Sequence, residues 1–269
     1  MTRTARRNRR TLQVAGAGAA ALLVLSACSS SGPDSGAGSG APGELSGTVN
    51  VFAAASLTES FTELGEEFEE RHPGTEVVFN FGGSDSLAAG ITSGAPADVF
   101  ASASPRTMKV VTDAGDAAGT PATFVRNRLE IATPPGNPDE IASLEDLTAG
   151  GLKVVLCDGT VPCGAAAGKA LAAAGLELTP VSYEEDVRSA LNKVVLKEAD
   201  AAVVYRSDVR AAGDKVEGVE FPESAEAVND YPITLLEDAP NPAAGRAFIE
   251  LVRSAEGRRV LTGAGFTAP

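Results

Sequence analysis

The chain predicts an α/β fold in which the strands of a mostly parallel sheet alternate with flanking helices. Short apolar runs recur from residue 48 to residue 238, and segments with helical spacing separate them. In the first such segment Leu57, Phe61, Leu64 and Phe68 fall at i, i+4, i+7 and i+11, which places them on one face of a helix. Alternation of this kind is typical of parallel sheets.

The predicted elements follow one another along most of the chain. The predicted strands cover residues 48–55, 75–81, 97–104, 129–135, 152–158, 200–208 and 231–238. The predicted helices cover residues 56–72, 84–94, 105–114, 164–175, 186–195 and 242–266. The first helix is expected to end at the turn formed by His72, Pro73 and Gly74.

The first 27 residues predict a signal peptide that is removed, rather than a part of the fold. Five arginines precede an apolar run at residues 11–25, which is short for a membrane span. The run ends in the sequence LSAC, residues 25–28, which resembles the lipobox of bacterial lipoproteins. The resemblance implies cleavage before Cys28 and a diacylglycerol on its thiol. The alternative is an ordinary signal peptide with a chance cysteine.

Residues 28–44 would then be the lipidated cysteine and a flexible linker, because residues 29–44 contain no large apolar side chain. We expect an exported protein that is anchored to the outer face of the cell membrane by the lipid on Cys28. The formal net charge of the chain is −14, which excludes nucleic acid as a partner because that binding needs a basic face. An anion site on so acidic a protein must work through short-range, directed hydrogen bonds.

Two serines stand where a predicted strand meets a predicted helix. Ser56 follows the first strand, and Ser84 follows the second strand after two glycines that let the backbone approach a ligand. Each offers a hydroxyl and free backbone N–H groups at the positive end of a helix, which suits an anion. The alternative for Ser56 is a capping box with Glu59, worth about 1 kcal/mol. Two such junctions at neighbouring strand ends favour a ligand site.

Several motifs then occur in an order that resembles a known family. They are VFAAASL (51–57), the helix-starting serine of FGGSDSL (81–87), GAPADVFASAS (94–104), VPCG (161–164), EDVRSAL (185–191) and VVYRSD (203–208). In this order they resemble the molybdate-binding proteins of ABC transporters, which have the type II periplasmic-binding-protein fold. The resemblance covers residues 48–269.

The resemblance implies an oxyanion held by neutral donors, without a cation and without a direct metal ligand. By position, Ser56 and Ser84 would each give a hydroxyl and a backbone N–H. Cys163 and Val187 would give backbone N–H groups, and Tyr205 would give its phenol. The Val187 side chain itself is expected in the core, because it lies on the apolar face of the helix that Asp186 opens.

Two positions depart from the family pattern. Cys163 stands where alanine is usual, and Cys157 lies six residues earlier. In an oxidising compartment we expect a Cys157–Cys163 disulfide, with free thiols as the alternative. Such a bridge would stiffen the loop that presents the Cys163 amide. Asp85 stands where a neutral residue is usual; it is expected to face solvent, and otherwise it could accept a proton from hydrogen phosphate.

The resemblance also implies two lobes, each a mostly parallel sheet with flanking helices, that close on a ligand in the cleft between them. The first lobe would comprise residues 45–126 and 231–269, and the second residues 127–230. Ser56 and Ser84 would come from the first lobe, whereas Cys163, Val187 and Tyr205 would come from the second.

The function implied is a substrate-binding lipoprotein that captures molybdate or tungstate and delivers it to an ABC permease in the membrane. The alternatives are another tetrahedral oxyanion, sulfate or phosphate, and a serine hydrolase that uses Ser56 or Ser84. The hydrolase is disfavoured because the only histidine, His72, lies in a His-Pro-Gly turn, and because the G-x-S-x-G elbow is absent. We expect a monomer without enzymatic activity and without a cofactor.

Overall fold

The structure is a computed structural model that describes residues 44–269. The predicted signal peptide, Cys28 and nearly all of the predicted linker lie outside the described residues. Within them, ten strands form two sheets of five. None of the helices in this range is long and apolar enough to cross a membrane.

The strands are mostly short, as the sequence predicts. In chain order they are β1 (Ser46–Ala54), β2 (Gly74–Gly82), β3 (Val99–Ala101), β4 (Ala122–Asn127), β5 (Leu129–Thr133), β6 (Val154–Cys157), β7 (Ser182–Glu184), β8 (Ala201–Tyr205), β9 (Glu217–Val219) and β10 (Asn229–Leu235). The α-helices are α1 (Thr58–Arg71), α2 (Ser84–Thr92), α3 (Pro105–Ala114), α4 (Pro162–Ala174), α5 (Val187–Val195), α6 (Arg206–Ala212), α7 (Pro242–Arg253) and α8 (Ala255–Gly263).

The two sheets share one strand arrangement. The first sheet has the order β2-β1-β3-β10-β4, and the second has the order β7-β6-β8-β5-β9. In each sheet the fourth strand, β10 or β5, pairs antiparallel with both neighbours, so that the other four strands run in one direction. The predicted α/β fold with two mostly parallel sheets is therefore confirmed. We call the first sheet with α1, α2, α3, α7 and α8 the first lobe, and the second sheet with α4, α5 and α6 the second lobe.

The chain passes between the two sheets twice. It leaves the first sheet after Asn127 and enters the second at Leu129, and it returns to the first sheet at Asn229. These points lie within two residues of the predicted lobe limits at 126/127 and 230/231. In each sheet the strand entered at a crossing is the reversed one, β5 or β10.

The helix face predicted from residues 57–68 packs into the core of the first lobe. Leu57, Phe61, Leu64 and Phe68 are each at most 1% exposed, and they pack with Phe248 of α7 in one apolar cluster. Complete burial of such a side chain stabilises the fold by roughly 1.5–3 kcal/mol. The spacing that predicts α1 is thus the spacing that fixes α1 to its sheet.

The second lobe has a core of smaller side chains. Ala166, Ala167 and Ala170 of α4 are at most 1% exposed and lie in one cluster with residues of β6 and β8. Side chains this small let α4 lie close to its sheet. The start of α4 is therefore held at a fixed place beside the end of β6.

Candidate functional site

A cavity lies where the ends of six strands meet between the two lobes. It is lined by residues that come after β1, β2 and β3 in the first lobe and β6, β7 and β8 in the second. The lining residues are Ala54, Ala55, Ser56, Gly82, Gly83, Ser84, Ala103, Val161, Pro162, Cys163, Asp186, Val187 and Tyr205. All five residues predicted to bind the ligand are thus brought together around one cavity.

The cavity is small and carries almost no charge. Its volume is about 20 Å³, somewhat more than the ~10–15 Å³ that one water molecule needs. Among the lining residues no lysine or arginine is present, and Asp186 is the single charged residue. A compact ligand fits this space, whereas a sugar phosphate would not fit without opening the lobes.

Helix starts supply the cavity with backbone donors. Ser84 and Val187 are the first residues of α2 and α5, and Cys163 is the second residue of α4. The first N–H groups of a helix have no acceptor inside that helix. No side chain caps α2 or α4, so their N–H groups and positive helix ends are free to meet an anion.

Asp186 caps α5 and so does not face the cavity as a free acid. Its Oδ1 accepts the N–H groups of Arg188 at 2.8 Å and of Ser189 at 2.9 Å. Asp186 does not accept the N–H of Val187, which therefore remains available to a ligand. The Val187 side chain is 3% exposed and packs in the second core, as predicted.

The structure contradicts the alternative interpretation of Ser56 as a capping box with Glu59. Ser56 lies within a 3-10 turn at Ala55–Leu57, and α1 starts at Thr58 without a side-chain cap. The Ser56 hydroxyl instead lies 2.8 Å from the Tyr231 hydroxyl. Glu59 pairs with Arg188 of the other lobe. Because the short turn moves the helix start past Ser56, this serine cannot cap α1 and is left beside the cavity.

Ser84 is buried, with 1% of its surface exposed. Its Oγ accepts the backbone N–H of Ala103 at 3.0 Å. The serine oxygen therefore already holds a donor from the protein, and its own hydroxyl proton is available for a ligand.

Tyr205 ends β8 and is also 1% exposed. Its hydroxyl oxygen accepts a hydrogen bond from Asn229 Nδ2 at 2.7 Å. Burial, the largest cause, raises the pKa of Tyr205 well above its ordinary value, so the phenol stays protonated at physiological pH. Tyr205 is thus kept as a neutral hydrogen-bond donor.

A buried acid lies directly behind Tyr205. Asp208 is 1% exposed, and its Oδ2 accepts the Tyr205 N–H at 3.1 Å. Burial raises the pKa of Asp208 to about 8, and the positive charge of Arg188 opposes that rise. At neutral pH the carboxyl is therefore mostly uncharged and does not repel an anion in the cavity.

Asp85 is the second residue of α2 but does not line the cavity. It is half-buried rather than facing solvent. Its Oδ1 is buried and has no hydrogen-bond partner among residues 44–269. The side chain that we expected to face solvent is thus only partly exposed, with one oxygen packed beside Gly83.

The structure contains the Cys157–Cys163 disulfide, with the two Cα atoms 5.8 Å apart. The bridge joins the last residue of β6 to the second residue of α4. The loop between them is tight: a Cβ at Gly164 would lie 1.9 Å from the backbone oxygen of Asp158. The loop that places the Cys163 N–H at the cavity is thus closed by a covalent bond.

Sequence analysis missed four residues near the cavity. Asn127, Asn229 and Tyr231 hold the hydroxyls of the site, and Asp208 lies behind Tyr205. Tyr231 begins a predicted strand, but no feature of the sequence separates the two asparagines from the others. Among residues 44–269 no group of three or more His, Cys, Asp or Glu side chains could hold a metal ion.

Comparison with known proteins agrees with this architecture. Residues 49–267 match the family model of the bacterial extracellular solute-binding proteins. The molybdate-binding protein ModA of Mycobacterium tuberculosis strain H37Rv is 45% identical over 93% of this chain and 95% of its own length. ModA of Escherichia coli strain K12 is 34% identical over 82% of this chain and 89% of its own length.

A solved structure shows the same fold. The periplasmic molybdate-binding protein of Azotobacter vinelandii superposes with a TM-score of 0.72 at 20% identity, covering 82% of this chain and 99% of its own. Both the sequence and the fold therefore place the chain in one group of proteins. The chain belongs to the bacterial extracellular solute-binding proteins and, within them, to the family of the molybdate-binding protein ModA.

Proposed function

We propose that the protein captures molybdate, and tungstate as well, in the cavity between its lobes. The observation that carries this proposal is the convergence of helix starts and buried hydroxyls on a cavity without a cation. Ser56 and Ser84 would each donate a hydroxyl and an N–H, Cys163 and Val187 would donate N–H groups, and Tyr205 would donate its phenol.

The donor set suits a small anion that carries no proton. Hydrogen bonds to a charged partner contribute about 1.5–3 kcal/mol each, roughly twice the neutral value. Such bonds can hold the anion on a protein of net charge −14 without a compensating lysine or arginine. Molybdate and tungstate are similar in size and charge, so the cavity does not separate them.

Sulfate and phosphate are the alternative ligands. Sulfate is smaller than molybdate and would leave the donors too far away, whereas hydrogen phosphate carries a proton that needs an acceptor. Asp85, the second residue of α2, is the acid that could accept this proton, but it does not line the cavity, which supports molybdate over phosphate.

A serine hydrolase is a poor alternative. His72 caps the far end of α1, a helix of 14 residues, and a helix of that length spans about 21 Å. The Ser56 hydroxyl instead pairs with Tyr231. The solute-binding family also supports a binding protein rather than an enzyme.

We further propose that the protein works outside the cell, held by a lipid on Cys28, and delivers its ligand to an ABC permease. The family of extracellular solute-binding proteins supports this location. A Cys28→Ser variant should lose the lipid and leave the membrane fraction, and mass spectrometry of residue 28 would show the change. A Cys28→Ser variant that stays with the membranes would contradict the anchor.

Calorimetry with the folded domain, residues 45–269, tests the ligand. Molybdate and tungstate should each bind at one site, and at 100 times its dissociation constant a ligand should stabilise the fold by about 2.7 kcal/mol. Sulfate and phosphate serve as the controls. If either of them raises the melting temperature and molybdate does not, the assignment of the ligand is wrong.

A further inference from the structure

Two buried asparagines face each other beside the crossings between the lobes. Asn127 is the last residue of β4, Asn229 is the first residue of β10, and the two are register partners in the first sheet. They are 2% and 7% exposed. Neither lines the cavity. Asn229 donates to the Tyr205 hydroxyl, which lines the cavity, and Asn127 donates to the Tyr231 hydroxyl, which lies beside Ser56.

The orientation of the Asn229 carboxamide is fixed by its neighbours. Its Nδ2 lies 2.8 Å from the backbone oxygen of Ala103 and 3.5 Å from that of Pro162. Carbonyl oxygens only accept, so the atom beside them must be the donating nitrogen. The same nitrogen donates to the Tyr205 hydroxyl oxygen at 2.7 Å, which leaves the phenol proton to point elsewhere.

The chain of bonds continues from Asn229 to the first lobe. The oxygen of Ala103 accepts from Asn229, and the N–H of the same residue donates to Ser84 Oγ at 3.0 Å. The Ser84 oxygen is thus also occupied by a donor of the protein. The two bonds use different peptide groups of Ala103 and are independent, so Asn229 acts directly on Tyr205 alone.

Asn127 contacts the hydroxyl groups beside Ser56. Its Oδ1 accepts the N–H of Arg128 at 3.0 Å, so its Nδ2 is turned to Ser207 at 2.8 Å and to the Tyr231 hydroxyl at 3.4 Å. The Tyr231 hydroxyl lies 2.8 Å from Ser56 Oγ, and either oxygen can be the donor of that bond. Asn127 therefore holds Tyr231 in place without fixing the direction of the Ser56 proton.

We propose that Asn229 is a positioning residue that directs the phenol proton of Tyr205 into the cavity. At Tyr205 the site then offers a donor, and an anion that carries a proton finds no acceptor there. This inference rests on the proposed oxyanion function. It requires a carboxamide at residue 229, since a carboxylate there would accept the phenol proton instead of donating to the phenol oxygen.

The test is Asn229→Asp, which keeps the shape of the side chain and replaces the donor by an acceptor. We expect molybdate to bind about 10- to 100-fold more weakly by calorimetry, since one bond to a charged partner is lost. We also expect the preference for molybdate over hydrogen phosphate to narrow, because the phenol oxygen can now accept. Asn192→Asp, which adds the same charge on an exposed side chain of α5, should bind as the parent does.

A second pair of variants separates positioning from simple repulsion. In a Tyr205→Phe background the phenol proton is absent, so Asn229→Asp should cost little further affinity. An equal loss in both backgrounds would assign the effect to charge alone and overturn the proposal, as would an unchanged preference for molybdate over hydrogen phosphate.

An uncharged variant at residue 229 and the parent protein serve as further controls. Asn229→Ala serves if Asn229→Asp does not fold, as judged by its melting curve, and should weaken molybdate binding by a factor of about 3 to 10. Parental affinity in a folded Asn229→Ala variant would overturn the proposal. A parent protein that does not bind molybdate would instead reject the proposed function, so the two failures are distinguishable.

Discussion

The first lobe meets the cavity with two serine hydroxyls, whereas the second lobe meets it mainly with backbone N–H groups and one phenol. Both lobes use the same strand order and the same kind of strand end. The difference lies in the turn that leads from each strand to its helix. Short turns leave Ser56 and Ser84 at the cavity in the first lobe, and tight helix starts leave the N–H groups of Cys163 and Val187 there in the second.

Because of this difference, the two lobes need different experiments although they share one strand order. A hydroxyl is a side-chain property, and an alanine substitution removes it. A backbone N–H survives every substitution except proline, which lacks it. The backbone contribution of the second lobe is therefore invisible to alanine scanning, and it must be tested by proline at a position that tolerates the ring.

Val187→Pro should show the largest loss of affinity. Val187 is the first residue of α5, where proline is well tolerated, and Asp186 before it has the extended backbone (φ −154°, ψ 167°) that precedes proline. Losing one N–H donor to an anion should weaken molybdate binding by about 10- to 100-fold. Val187→Ala is the matched control, since it trims the side chain and keeps the N–H. Equal losses in both variants, measured by calorimetry, would show that the amide is not a donor.

Ser84→Ala should show the next largest loss of affinity, and it should also lower the stability of the fold. It removes a donor from the cavity and leaves the buried N–H of Ala103 without its acceptor. We expect molybdate binding about 10- to 30-fold weaker and a free energy of unfolding lower by roughly 1–3 kcal/mol. Ser86→Ala, at an exposed position of the same helix, should change neither quantity. Retained affinity in Ser84→Ala would show that the Ser84 hydroxyl is not a donor to the ligand.

Asp208 gives the second lobe a pH dependence. The pKa of Asp208 is about 8 in the folded protein, against an ordinary value of 3.8. The folded state holds this proton more tightly than the unfolded chain, so the stability from Asp208 is complete below about pH 4. It is lost as the pH rises toward and through about 8.

An ionised Asp208 beside Tyr205 should also repel the anion. We expect molybdate affinity to fall several-fold between pH 7 and about pH 9.5, and Asp208→Asn to remove most of that fall. The other charged groups that face Asp208 are Arg188, Glu59 and Asp186. The same pH profile in Asp208→Asn would assign the effect to another group.

Removing the disulfide should have the smallest effect on affinity. In a Cys157→Ala, Cys163→Ala variant the loop before α4 is no longer closed, and the chain-entropy model gives a loss of stability of about 2 kcal/mol. Affinity should fall two- to threefold, because the Cys163 N–H must be ordered on binding. A variant that is less stable but binds molybdate as tightly as the parent would show that the bridge is structural only.

The sequence predicts the fold well where elements are long and periodic. The helix face of Leu57, Phe61, Leu64 and Phe68 fixes α1, and Asp186 marks the start of α5. It merges α7 and α8, which Ser254 separates, into one helix. It fails for β4, β7, β9 and α6, which are three to seven residues long. Elements so short are formed by the sheet that they join, and their own sequence carries no period.

Only some residues of the candidate site can be predicted from the sequence, and the reason is physical. Ser56 and Ser84 stand out because hydroxyls at strand ends are visible in the residues themselves. Cys163 and Val187 would act through backbone N–H groups, which every residue except proline supplies, so only the family resemblance points to them. Asn127 and Asn229 are far apart in the chain, and their pairing exists only in the folded sheet.

The repeated strand order also has a consequence for the shape of the ligand. Since each lobe brings the ends of its first three strands to the cavity, the site is built from two halves of similar design that face each other. A tetrahedral ion has two-fold symmetry axes and can turn one pair of oxygens to each half. The match between protein and ion is therefore one of symmetry as well as of size and hydrogen bonding.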